Sequence, residues 1–165
     1  MSQIQPQRRA RRIAMSDDER DAHLASLRVC RVGTVGAQGA PHVSALWYAW
    51  DGSALWLYSI IKSQRWVNLV RDPRVSVVID TGVDYFELRG VEFMGEVEFV
   101  GEQPRAGEPN PDLEAPERLF AERYWGGAWL GYDLRHAWVR LHPSKQVTWD
   151  FRKLGGTETA FNPNR

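Results

Sequence analysis

LWLYSIIKSQRWVNLVRDPRVSVV, residues 55–78, changes its hydrophobic period twice. Leu55–Tyr58 is an apolar, aromatic run with the composition of a buried strand. Lys62, Ser63 and Arg65 arrive together where that pattern stops. Trp66, Leu69 and Val70 then recur at i, i+3, i+4, which predicts a short helix with one apolar face, while Gln64, Asn68 and Arg71 share another. Asp72-Pro73 closes it, because a residue before proline is pushed out of the α region. A strand follows, with Val75, Val77 and Ile79 alternating. A helix N-terminus carrying Lys62, Ser63 and Arg65 offers free backbone N–H groups, a positive dipole end, a hydroxyl and two cationic donors. Those are the parts of an anion site, and phosphate suits them best. The same residues serve equally well as a solvated basic turn, and their spacing does not separate the two readings.

Upstream, Ser16-x-x-Glu19 has the form of a capping box, with Asp17 and Asp18 at the positive end of a helix that runs through Leu24 and Leu27. His23 lies on it as an exposed residue. Val29–Val35 and Pro41–Trp50 read as a hairpin turned by Gly36-Ala37-Gln38-Gly39, and Asp51-Gly52 reads as a two-residue turn into the strand at Leu55. Downstream, Tyr85–Val100 alternates and holds Gly90 and Gly95, each the mark of a bulge or sharp bend inside a strand. Leu113–Tyr124 reads as a helix ended by Trp125-Gly126-Gly127-Ala128-Trp129. Ala137–Leu141 and Gln146–Trp149 read as two strands interrupted at Pro143. Six strands with bends and a few peripheral helices predict a mainly β (α+β) fold, a small closed antiparallel barrel, since closure removes sheet edges. The expected organisation is a basic flexible tail over 1–15, one domain over 16–154 and a loop-like tail over 155–165.

The 21 basic and 21 acidic residues balance, so no global charge favours nucleic acid or an acidic membrane surface. The single cysteine, Cys30, permits no disulfide within the chain and suits a cytoplasmic setting. It reads as a small buried hydrophobe rather than a nucleophile. No apolar run is long enough to span a membrane and none resembles a signal-peptide core. Eight tryptophans exceed what a small core needs and suit an interface or a flat ligand. The four histidines show no metal-ligand spacing, and there is no nucleophile elbow, P-loop or dinucleotide fingerprint. Asp133 and His136 make a nucleophile set with Cys30 only if the fold brings them together, which nothing in the sequence requires.

The order of a capped helix, CRVGTVGAQGAPHVSALWYAWDGSALWLYS (30–59), KSQRWVNLVRDPRVSVVID (62–80) and FELRGVEFMGEVEFV (86–100) resembles the flavin-reductase-like split β-barrel superfamily, which includes pyridoxamine-phosphate oxidase. The likeness runs over residues 16–153, and its most specific piece is the basic turn followed by Asn68-Leu69-x-Arg71-Asp72-Pro73-Arg74. Trp149-Asp150-Phe151-Arg152-Lys153-Leu154-Gly155 is similar to actinobacterial members that use the deazaflavin coenzyme F420.

The resemblance implies a homodimer with two cofactor sites between its subunits. It implies that Lys62, Ser63 and Arg65 hold the cofactor's phosphate, although Gln64-Arg65 stands where relatives have a basic pair. It places Ser44, Ala45, Leu46 and Trp47 against the ring edge, and has Trp149 and Arg152 reach the cofactor across the dimer. The activity implied is hydride transfer from reduced F420 to a small unsaturated or electrophilic acceptor. The alternatives are an FMN-dependent enzyme of the pyridoxamine-phosphate-oxidase type and a non-catalytic flavin- or haem-binding protein. The phosphodiester and oligoglutamate tail of F420 need a longer positive track than FMN, and Lys145, Arg152 and Lys153 are residues that could extend one. His42, Ser44 and Tyr48 share a strand face opposite Trp47, which makes His42 and Tyr48 candidate proton donors, though each also fits an ordinary structural role. Trp125 and Trp129, four apart, could share a helical face over the ring in a lid formed by residues 104–129, with packing against the neighbouring subunit the favoured use.

Overall fold

The computed structural model describes residues 4–129 and 131–155. Six antiparallel strands, β1 (Val29–Val35), β2 (Pro41–Trp50), β3 (Leu55–Ile60), β4 (Arg74–Thr81), β5 (Arg89–Val100) and β6 (His136–Asp150), close into a barrel in the order β1-β2-β3-β6-β5-β4. Alternation sends Cys30, Val32, Leu55, Leu57, Val77, Ile79, Phe93, Val139 and Leu141 inward, where all are fully buried. Three helices lie outside: α1 (Asp17–Ser26), α2 (Gln64–Arg71) and α3 (Pro111–Tyr124). The α3 helix covers a second apolar cluster on the barrel's outer surface, built from Trp56, Val100, Leu113, Phe120 and Trp138. Much of the tryptophan content goes into that layer.

Several local expectations change once the chain is folded. The capping box at Ser16 and Glu19 forms as read, but His23 is buried rather than exposed, because α1 turns Arg20, His23 and Leu24 together onto the barrel. Burial pushes its imidazole below the ordinary histidine range, against a hydrogen bond from its ring to the Ile79 carbonyl. The connection after β2 is four residues, not two. Asp51 accepts from the Ser53 and Ala54 N–H groups and from Trp56 Nε1, so the carboxylate holds the longer turn together with Gly52, whose φ is positive. Residues 136–150 form one strand, because Pro143 sits at a bulge. Met94 pairs with Lys145 and Gly95 with Pro143, which leaves Ser144 as the extra residue. Gly90 marks no bulge; it faces Trp149 directly.

The basic segment read as a flexible tail lies, from Ile4, against β6. The Gln5 N–H donates to the Ser144 carbonyl, Gln7 bonds Thr148 in both directions, and the Met15 N–H donates to Thr148 Oγ1. The anchors are amides and a hydroxyl, so arginine-rich composition gave no sign of them. Of the C-terminal tail, residues 156–165 lie outside the described part. No helix among the described residues is long and apolar enough to cross a membrane.

Candidate functional site

The barrel is open along one seam. β2 pairs with β3 only from Tyr48 to Trp50, opposite Leu57 to Leu55, while it pairs with β1 from Pro41 to Trp47. Over those seven residues β1 is its only strand partner among the described residues, so the edge of Pro41–Trp47 that faces β3 is left for other groups. On the opposite edge of β2, just past the last β1–β2 pair (Val29 with Trp47), Tyr124 of α3 bridges the two strands: its hydroxyl accepts from the Tyr48 N–H and donates to the Tyr48 carbonyl or that of Arg28. At the far end of the seam α2 closes the barrel mouth.

The basic turn runs directly from β3 into α2. Ser63 is the N-cap and its hydroxyl accepts from the Trp66 N–H at 3.2 Å. The N–H groups of Gln64 and Arg65 are left to be met from outside the helix. Lys62 is exposed. The buried face of α2 differs from the one its apolar periodicity predicts: Arg65, Trp66, Asn68 and Leu69 face the barrel, while Val67 and Val70 are exposed. Hydroxyls at the barrel mouth attract the polar side chains. Arg65 donates from Nε and Nη2 to Ser59 Oγ at 3.2 and 3.0 Å and from Nη1 to Ser44 Oγ, and Asn68 donates to Thr34 Oγ1.

Arg65 is only 7 % exposed, and no carboxylate among the described residues pairs with it. Burial lowers its proton affinity below the usual guanidinium range. A buried cation met only by neutral hydroxyls is costly unless an anion completes the site.

Arg65 and Ser44 therefore come together, while Ser63 caps the same helix and Lys62, one residue before it, is exposed. Ser44 and Leu46 point inward, while Ala45 and Trp47 lie on the outer face of β2; Trp47 is 44 % exposed and stacks on Tyr124 at 4.4 Å, 3° from parallel. Trp149 and Arg152 do not join them within one chain. Ile60 pairs with His136 at the start of β6, whereas Trp149 is at its far end opposite Gly90. Arg152 is engaged by Asp150 and Lys153 by Glu19, so two of the three residues expected to lengthen a positive track already hold carboxylates. Lys145 instead faces a cleft of about 520 Å³ shared with Arg8 and Arg9 of the N-terminal arm.

The proton-donor candidates fare unequally. Tyr48 is fully buried, and its hydroxyl donates to the Leu24 carbonyl at 2.7 Å, with that of Leu27 at 3.2 Å. Those bonds fasten α1 to the barrel, and burial raises the Tyr48 pKa above the tyrosine range, so the hydroxyl keeps its proton. Tyr48→Phe is expected to cost about 1–2 kcal/mol in denaturant unfolding, the loss of a buried hydrogen bond, and to leave cofactor affinity unchanged in a titration. His42 Nδ1 lies 3.4 Å from Thr34 Oγ1. Cys30 is buried in the barrel with its thiol pushed up to about 12 by desolvation; that thiol donates to the Leu46 carbonyl, and His136 pairs with Asp133 instead.

Sequence reasoning missed a second group. An aromatic cleft of about 480 Å³ is lined by Leu46, Trp47, Tyr58, Phe120, Trp125 and, at its rim, Asp133 and His136. Trp125 caps α3 and Trp129 lies beyond it, so their edge-to-face contact at 4.5 Å does not come from a shared helical face. The available signal was Asp133-x-x-His136 just ahead of a strand, a spacing that lets an Asp turn reach the ring.

A closed six-stranded antiparallel barrel with an opened seam, a capped basic turn beside it and a helix over its mouth is a split β-barrel. The pyridoxamine 5'-phosphate oxidase family matches residues 16–115, and the chain belongs to it. Among solved structures it is similar to a conserved hypothetical protein from Mycobacterium tuberculosis, with 35% identity, a TM-score of 0.76, and 95% of this chain and 98% of that one covered. It also resembles an F420 reductase (22% identity, TM-score 0.58, 76% and 94% covered) and the haem storage protein HutZ from Vibrio cholerae (18%, 0.60, 78% and 91%). These last two likenesses show the fold alone. No curated protein matches the chain significantly.

Proposed function

We propose that the chain is an oxidoreductase that transfers a hydride from the reduced deazaflavin coenzyme F420 to a small unsaturated or electrophilic acceptor, with the cofactor held between two copies. The observation that carries this reading is the Arg65 cation, buried beside the open edge of β2 with no carboxylate partner among the described residues. A phosphoryl group completes that site: Arg65 and Lys62 supply charge, Ser63 a hydroxyl, and the N–H groups of Gln64 and Arg65 the helix-end donors. The vacant edge of Val43–Trp47 fits the polar rim of a tricyclic ring. When bound, the cofactor supplies the hydride chemistry; the protein binds, orients and keeps water out.

A dimer is supported by an apolar surface that a monomer has no reason to keep. Val29 and Trp47 are cross-strand neighbours on the outer face, Val43 lies on that face, and Val67 and Val70 are on the open side of α2; all five are 43–68 % exposed. In that arrangement Trp149 and Arg152 come to the cofactor from the partner. Val43→Glu with Val70→Glu is expected to shift the protein to a monomer in sedimentation analysis and to abolish cofactor binding together with it.

FMN is the second reading, favoured by the engagement of Arg152 and Lys153 with carboxylates, which leaves the cationic turn suited to a simple phosphate monoester. Colour separates the two. A preparation from a host lacking F420 is expected to be colourless and to quench F420 fluorescence on titration. A yellow preparation with flavin absorption would establish FMN instead, and a protein that takes up neither would end both readings.

A further inference from the structure

The aromatic cleft shares Leu46 and Trp47 with the edge proposed for the cofactor ring, and it holds polar chemistry that the phosphate site does not use. His136 Nδ1 lies 2.7 Å from Asp133 Oδ2, and Asp133 Oδ1 accepts from the N–H groups of Arg135 and His136 at 2.9 and 3.1 Å. Burial raises the Asp133 carboxyl, but those N–H groups and the His136 ring outweigh it and hold it below the usual carboxylate range. The carboxylate is thus fixed by its own turn and fixes the ring in turn. In the neutral imidazole the hydrogen sits on Nδ1, and the lone pair is on Nε2. Nε2 has no partner among the described residues, and the side chain is 26% exposed.

The surroundings select what can meet that nitrogen. The His136 ring stacks on Tyr58 at 4.8 Å and 24°. Phe120, Trp125 and Trp47 complete the walls, and Trp47 is held in place by its stacking on Tyr124. A cavity of about 480 Å³ with flat apolar walls, an oriented His136 nitrogen and a buried Tyr58 hydroxyl that has no partner among the described residues has the size and make-up of a small-molecule site.

We propose that this cleft binds a flat aromatic or conjugated molecule carrying an O–H or N–H donor, which His136 Nε2 accepts with Asp133 as the positioning residue. That this molecule is the reduced form of the acceptor rests on the function proposed above; its binding does not. The same hydrogen bond with the proton at the nitrogen end serves the unreduced form, so one residue handles the ligand's proton in either direction of transfer.

The test uses 2-naphthol, whose emission distinguishes the naphthol from the naphtholate formed when a base takes its proton in the excited state. With cofactor-free protein, excited beyond the tryptophan band, the bound probe is expected to emit as naphtholate and to bind about tenfold more tightly than 2-methoxynaphthalene, which lacks the proton. In His136→Phe, which keeps the stacking on Tyr58, the bound probe should emit only as naphthol and the tenfold preference should vanish. Asp133→Asn keeps an oxygen for the two N–H groups but places a donor against Nδ1. That moves the lone pair away from Nε2, so naphtholate emission should fall there also.

Equal binding of the two probes, naphtholate emission that survives His136→Phe, or no binding to the parent protein because another chain fills the cleft would each overturn the inference. A positive result from a protein that binds neither F420 nor FMN would sustain the cleft assignment and defeat the proposed function. Flavin binding with no probe effect would do the reverse.

Discussion

Arg65→Met is expected to weaken binding of F420, or of FMN, by roughly ten- to a hundredfold while leaving the unliganded protein about as stable as before. The affinity loss is that of one charge-assisted hydrogen bond to a phosphate, about 1.5–3 kcal/mol. The stability side follows from what surrounds the side chain. Arg65 is buried and meets Ser59 and Ser44 hydroxyls, not a carboxylate. Placing a cation there without a counter-charge costs on the order of several kcal/mol in desolvation, which the hydroxyls offset only in part. Methionine fills similar volume and removes that cost, but takes the donor from both Ser59 Oγ and half-buried Ser44 Oγ, a loss of about 1–2 kcal/mol. The two changes oppose each other, so thermal unfolding should move little. Fluorescence titration and a melting curve on the same samples check both halves. A large fall in stability with unchanged affinity would mean that Arg65 is a structural plug and that the phosphate binds elsewhere.

That split between folding and binding also marks what could be read from the sequence. The first five strands as segments, the capped first helix and the basic turn follow from period and turn chemistry, because Ser16, Asp72-Pro73 and the alternating valines act on their own neighbours. The buried face of α2 did not follow. Hydrophobic periodicity puts Val70 inside, yet it is 63 % exposed, and Asn68, counted with the polar face, is fully buried. The partners that draw Arg65 and Asn68 inward are Ser44, Ser59 and Thr34, on three strands that only the closed barrel brings to one rim. Likewise the Asp133–His136 pair was visible as two residues, but its importance depends on Tyr58 and Phe120, remote in the chain. Local rules find elements; a site assembled from several elements needs the register between them.

Gly90→Ala is expected to destabilise the protein by roughly 3 kcal/mol, at the upper end of what overpacking costs, and so to lower the melting temperature by about 6–12 °C for a domain of this size. A Cβ on Gly90 would lie 2.1 Å from Trp149 Cζ2, 2.5 Å from Cε2 and 2.8 Å from Cη2. The obstacle is a rigid indole rather than the tip of a flexible chain, and Gly90 and Trp149 are direct cross-strand partners, so neither strand can slide without breaking the β5–β6 ladder. The indole must therefore swing out. Removing it should relieve the clash: Gly90→Ala with Trp149→Ala is expected to recover most of the loss, with a coupling energy of about 2 kcal/mol in the double-mutant cycle. The same cycle bears on function, since a Trp149 that reaches a cofactor in the partner must do so from this packed position. Trp149→Ala alone should then weaken cofactor binding in the dimer, and Gly90→Ala should weaken it as well by displacing the ring. If Gly90→Ala lowers the melting temperature but leaves cofactor affinity untouched, the tryptophan only fills space over the glycine and the cross-dimer contact does not exist.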